Sequence, residues 1–321
     1  MLSTKKKFRI AIFEGLSNPS HAAVARKLYR LLAPKGDEGL SLYEPRIYTV
    51  CFTKESMWSK VEIAREAECD VFVIIGQRCA LFFKDICDEV GVDLSVIYVG
   101  VRHPDQLGLI YSSDYPGGNR TAIEGSYITG EDIAGYIALF QKYISRIFIP
   151  YYAQGLSGTM VHQAQAIQSF LKELGFFVEL KPIATVSEAL MSVRHEAENF
   201  DAVVTLEGCP ANGAPEIIKF SADNDKVLFC GYGFTGIEFG APCAYGGDVA
   251  LLANEIQVVL GKHCEDGVRL GGIPVRTVQY ERFFIVNRVM LLQTGIPKSI
   301  LDVLEKAGDV TIVRHYVKLP G

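Results

Sequence analysis

The chain has 321 residues, 49% of them apolar, and its 32 basic and 37 acidic side chains give a formal charge of −5. This length exceeds the usual single-domain mode of roughly 100–150 residues and points to two lobes. Apart from Lys5-Lys6-Lys7 the charge is dispersed, which excludes the basic footprint of a nucleic-acid binder, and no apolar stretch reaches the roughly 18 residues that a transmembrane helix requires.

Met1 to Lys7 is a short polar and basic lead with no apolar segment or small-residue cleavage site. Two expectations follow: the chain stays in the cytoplasm, or an export signal has been removed ahead of it. The eight cysteines are too sparse for a stapling framework, and most fall within apolar patterns where a reduced thiol packs as a small hydrophobe. They form no C-x-x-C pair and no Cys/His cluster with zinc spacing, so no metal is assigned.

Phe8 to Phe13, Arg46 to Phe52, Asp70 to Ile75 and Leu94 to Val101 are nearly continuous in apolar character, as strands buried on both faces are. Between them His21 to Ala33, Trp58 to Ala67 and Gln77 to Val90 carry charge on one face at helical spacing. After a Gly- and Pro-dense loop at Ser113 to Asn119, the rhythm restarts. Strands are expected at Arg146 to Tyr152, Phe176 to Ile183, Asp201 to Glu207 and Val227 to Tyr232, with helices at Met160 to Leu174, Ser187 to Glu198 and Ala214 to Ala222. The fold class is therefore α/β, with two Rossmann-like lobes on parallel sheets.

In such sheets ligands bind beyond the carboxyl ends of the strands. The candidate positions are thus Glu14 to Ser20, Gly76-Gln77-Arg78, Gly100 to His103, and Tyr151 to Thr159. Ser157 and Thr159 open a helix whose N–H groups suit a ligand carboxylate, and the same residues equally suit a cap of their own helix.

Gly100-Val101-Arg102-His103-Pro104-Asp105-Gln106-Leu107-Gly108-Leu109-Ile110, with Pro116 to Thr121 close behind, resembles a signature of one family of ABC-transporter substrate-binding proteins. That family includes tryptophan- and aromatic-amino-acid-binding members. The carboxyl-terminal order is similar too: Gly246-Gly247-Asp248, a helix through Leu260-Gly261-Lys262, Ile273-Pro274-Val275, Phe284 to Asn287, and Thr294 to Pro297. The resemblance implies a type I periplasmic-binding-protein fold with a three-segment hinge. It sets lobe I at 1–122 plus 243–276 and lobe II at 123–242 plus 277–321, with the ligand cleft between them. Hinge segments are expected at Thr121 to Gly125, Pro242 to Tyr245 and Thr277 to Glu281.

The sequence departs from the family at Asn18-Pro19, Gly76-Gln77-Arg78 and Glu207-Gly208-Cys209, which leaves the ligand open. For an amino acid, Glu14, Glu207 and Glu238 are the carboxylates that could take its ammonium group. Ser17, Ser157 and Arg102 would meet its carboxylate, and Gln77 lines the same edge. An aromatic side chain would stack on Tyr151, Tyr152, Phe234 or Tyr245, unless these rings pack in the core or hinge.

Gly231-Tyr232-Gly233-Phe234-Thr235-Gly236 matches G-x-G-x-x-G after a strand, but it lies late in the chain and is followed by a poor helix opening. Ser157 and Cys209 lack a nucleophile elbow. The expectation is a binding protein without catalytic residues or cofactor, the small-molecule receptor of an ABC-type importer, closing over its ligand and offering that closed form to permease subunits. A cytoplasmic sensor with the same fold is the alternative, and a Rossmann-type enzyme a remote one. The family places such receptors in the periplasm or cell envelope; a true start at Met1 places this one in the cytoplasm.

Overall fold

A computed structural model of the chain describes residues 7–15, 19–33, 41–51, 53–125, 129–153, 159–206, 209, 211–231, 237, 240–247, 250–279, 282–307 and 310–313. The chain divides into two compact units, Met1–Ser126 with Asp248–Tyr280, and Tyr127–Gly247 with Glu281–Gly321. It passes from one unit to the other three times.

The first unit opens with β1 (Phe8–Gly15), α1 (Pro19–Leu32), β2 (Tyr43–Val50), α2 (Lys54–Glu66), β3 (Val71–Ile75), α3 (Gln77–Val90), β4 (Val96–Val99) and β5 (Arg120–Gly125). The second contributes α4 (Gly130–Ala138), β6 (Arg146–Tyr152), α5 (Thr159–Glu173), β7 (Phe177–Ile183), α6 (Val186–His195), β8 (Ala202–Thr205), α7 (Pro215–Asp223), β9 (Val227–Cys230) and β10 (Cys243–Gly247). The chain returns to the first unit for α8 (Ala250–Leu260) and β11 (Arg276–Val278). It ends in the second with β12 (Arg282–Asn287), α9 (Arg288–Gln293), α10 (Ser299–Lys306) and β13 (Val310–Val313).

The first sheet has six strands in the order β11-β5-β4-β3-β1-β2, all parallel. Its continuous apolar runs have the expected cause, since successive residues feed opposite layers. Ile10, Ile12, Val71, Val73, Ile97 and Val99 pack with Val24, Leu28, Ile256 and Leu260 of α1 and α8. Ala11, Phe13, Phe72, Ile74 and Tyr98 pack on the other face with Met57, Val61, Phe83 and Ile86 of α2 and α3. Thr53 caps α2, its side chain accepting from the Ser56 N–H.

The second sheet has seven strands in the order β13-β12-β10-β9-β8-β6-β7. From β7 to β10 the strands are parallel, while β12 runs antiparallel to β10 and β13 follows β12. One core unites Ile147, Phe148, Val203, Phe229 and Phe284 with Phe140, in the turn after α4, and helix residues such as Ile133, Ile167 and Ile217. A capping box closes the start of α4, where the Thr129 side chain accepts from the Asp132 N–H and Asp132 accepts in return from the Thr129 N–H.

Of the three segments expected to form a hinge, Thr121 to Gly125 lies on β5 and Cys243 to Tyr245 on β10, while only Thr277 and Val278 of the third lie on β11 and residues 280 and 281 lie outside the described residues. The crossings come a few residues later than the boundaries read from the sequence. Hydrogen bonding keeps Cys243–Gly247 in the second sheet, paired with both β9 and β12.

Candidate functional site

In each sheet the first strand of the βαβ series has its successors on opposite sides: β1 lies between β2 and β3, and β6 between β7 and β8. The crevice rule for open α/β sheets places ligand contacts at the carboxyl ends of these strands.

In the first unit that edge is formed by Glu14, Gly76, Gln77 and the residues after β4. Parallel register sets Glu14 beside Thr49, and the Thr49 hydroxyl donates to Glu14 Oε1 at 2.9 Å. The second carboxylate oxygen, Oε2, is buried and has no hydrogen-bond partner among the described residues. Next to it in the sheet, β3 ends at Gly76, whose N–H donates to the Val99 carbonyl at 2.8 Å. Gly76 has φ +91°, and a Cβ placed there would lie 2.0 Å from Cε1 of His21. The first turns of α1 thus lay the His21 ring against the backbone that opens α3. Burial pushes the imidazole pKa down to about 4, so the ring is neutral at pH 7. Gln77 is half-buried at the first turn of α3, and Arg102 is half-buried after β4. The neighbouring His103 N–H donates to Glu124 at 2.8 Å.

In the second unit the strand ends are knitted together by Asn212. Its Oδ1 accepts from Thr205 Oγ1 at 2.9 Å, from the Gly231 N–H at 2.8 Å and from the Cys230 thiol at 3.2 Å. Tyr245, a candidate stacking platform, is a core residue only 1% exposed. Its hydroxyl donates to the Thr205 carbonyl at 2.8 Å, so its ring is spent on the fold. Tyr151 is half-buried and packs against the core at the end of β6. Cys209 is buried, its thiol 3.5 Å from the Pro150 carbonyl. Burial pushes its pKa up to about 12, so it is a thiol and a poor nucleophile at neutral pH.

Of the residues named from sequence, Glu14, Gln77 and Arg102 come to the carboxyl edge of the first sheet and Tyr151 to that of the second. Ser17, Ser157, Glu207, Phe234 and Glu238 lie outside the described residues, as do residues 232–236 of the G-x-G-x-x-G string. Asn212 was missed because Asn212-Gly213 reads as an ordinary turn, and His21 because it reads as a helix surface residue. Among the described residues no group of His, Cys, Asp and Glu is placed to hold a metal ion, and no helix is long and apolar enough to cross a membrane.

The sequence matches no protein-family model and no curated protein. Among solved structures it is similar to an ABC domain in complex with L-Trp from Streptococcus pneumonia, with 17% identity, TM-score 0.74, and 95% of this chain and 100% of that one covered. It is likewise similar to a conserved domain protein from Vibrio cholerae, with 16% identity, TM-score 0.77 and coverage of 96% and 100%. The fold is that of the type I periplasmic binding proteins. This fold also serves regulators: a periplasmic-binding ribose operon repressor from Lactobacillus acidophilus matches with 13% identity, TM-score 0.56 and coverage of 86% and 96%. At such identities the likeness carries the periplasmic-binding-protein fold and leaves the ligand to be argued from residues.

Proposed function

We propose that this protein is the substrate-binding component of an ABC-type importer and that its ligand is an amino acid, with an aromatic one such as Trp, Tyr or Phe the best fit. The observation that carries the reading is Glu14. A carboxylate oxygen buried without a partner is costly, and a ligand ammonium group relieves that cost with a charge-assisted hydrogen bond. Its place at the carboxyl end of β1 is where the fold receives ligands, and the half-buried Tyr151 ring offers an aromatic surface at the equivalent edge of the second sheet. Gln77 and Arg102 supply further polar contacts. The L-Trp held by one structural neighbour adds support. A small-molecule sensor is the second reading, favoured by the likeness to a repressor.

Calorimetric titration of the purified protein and of Glu14→Gln with the twenty L-amino acids tests the proposal. A binder of the wild type should lose roughly 10- to 100-fold in affinity in Glu14→Gln, the worth of one charged hydrogen bond. An amino acid bound equally by both proteins removes Glu14 from the site. Binding of sugars alone removes the amino-acid assignment.

A further inference from the structure

Asn212 is 5% exposed, and the orientation of its amide is fixed. The Gly231 main-chain N–H, 2.8 Å away, can only donate, so the atom facing it must be the amide oxygen. That oxygen is shared with the Thr205 hydroxyl and the Cys230 thiol. Nδ2 therefore points away from Gly231, and it is buried with no hydrogen-bond partner among the described residues.

An unpaired buried donor is costly, and native proteins seldom keep one without a purpose. The other orphaned side-chain atom of this unit, Ser221 Oγ, lies within α7. Asn212 sits instead in the turn between β8 and α7, tied to the carboxyl ends of both β8 and β9. Three donors hold the amide rigid before any ligand arrives, which lowers the entropic cost of binding.

We infer that Asn212 is a ligand-orienting residue whose amide N–H donates to a planar carbonyl or carboxylate oxygen of the bound molecule. The inference rests on the receptor reading above. It adds that the ligand must carry an oxygen acceptor and that this side chain reads it.

The test compares each L-amino acid with the amine left by removing its carboxyl group, for example L-tryptophan with tryptamine, and includes L-tryptophanamide, which keeps only the carbonyl. The wild type should prefer the acid to the amine by at least tenfold. In Asn212→Ser that preference should fall below threefold, the acid losing more affinity than the amine. Tight binding of the amide assigns the contact to a carbonyl; loss of affinity for the amide assigns it to the carboxylate charge. Asn212→Asp keeps an acceptor facing Gly231 but puts a carboxylate oxygen where the donor was, so it should lose at least as much affinity for the acid.

Equal weakening of acid and amine, or a preference that survives both substitutions, overturns the assignment and leaves the receptor reading standing. If both variants are unfolded, the amide serves the fold and the assignment falls. If the wild type binds no amino acid and no amine, both readings fall together.

Discussion

Replacing Gly76 with alanine probes how tightly the carboxyl edge of the first sheet is built. The new Cβ would meet Cε1 of His21 at 2.0 Å and Nε2 at 2.4 Å, and φ of +91° is a conformation that L side chains rarely adopt. Two costs therefore add. Holding a non-glycine residue in this region costs about 1–3 kcal/mol, and forcing a methyl group into a filled space costs about 1–3 kcal/mol more. A total near 3–4 kcal/mol lowers Tm by about 6–15 °C in a unit of this size. The assay is calorimetric unfolding of the wild type, Gly76→Ala, His21→Ala and the double variant. In the double variant the clash is gone and only the backbone strain remains, so the cycle should show a coupling of about 1–3 kcal/mol. A Gly76→Ala midpoint within about 2 °C of the wild type, or strictly additive effects, would show that the His21 ring does not fill the space beside Gly76.

His21 makes stability depend on pH. Its folded-state pKa is near 4 against about 6.5 in the unfolded chain. Between these values the unfolded state holds more protons, so the contribution is complete above about pH 6.5 and is lost as pH falls toward about 4. Denaturant titrations should show about 2 kcal/mol less stability at pH 5 than at pH 7, and His21→Gln should remove most of that slope; an unchanged slope contradicts the assignment. Tyr245→Phe deletes the bond to the Thr205 carbonyl and should cost about 1 kcal/mol with no selective loss of ligand affinity. Abolished binding in a stable Tyr245→Phe protein would place this ring in the ligand site.

The parallel cores were legible because burial on both faces leaves an unbroken apolar run. Phe8 to Phe13 and Asp70 to Ile75 carry that mark and became β1 and β3. Strand direction has no such mark. Phe283 to Val286 looks like any buried strand, and only its pairing with β10 makes it antiparallel. Glu14 is a candidate by its place after the apolar run Phe8 to Phe13, and the structure sets it inside β1 one residue before its end. Tyr245 falls in an expected hinge segment, yet it lies within β10, its hydroxyl finds Thr205, 40 residues away in sequence, and the ring is core. Asn212 is the converse case. Its turn-like surroundings hide a side chain whose burial depends on Thr205, Cys230 and Gly231 folding around it. Contacts between distant segments decide these roles, and no local pattern encodes them.

The measurement that bears most directly on the central claim is a thermal-shift screen of the wild-type protein against the L-amino acids, with nucleosides and sugars as controls. A ligand at a hundredfold excess over its Kd stabilises the native state by about 2.7 kcal/mol, which raises Tm by several degrees. Such a rise is expected with one or a few amino acids, the aromatic ones foremost, and none with nucleosides. A rise with sugars or nucleosides and none with any amino acid would contradict it.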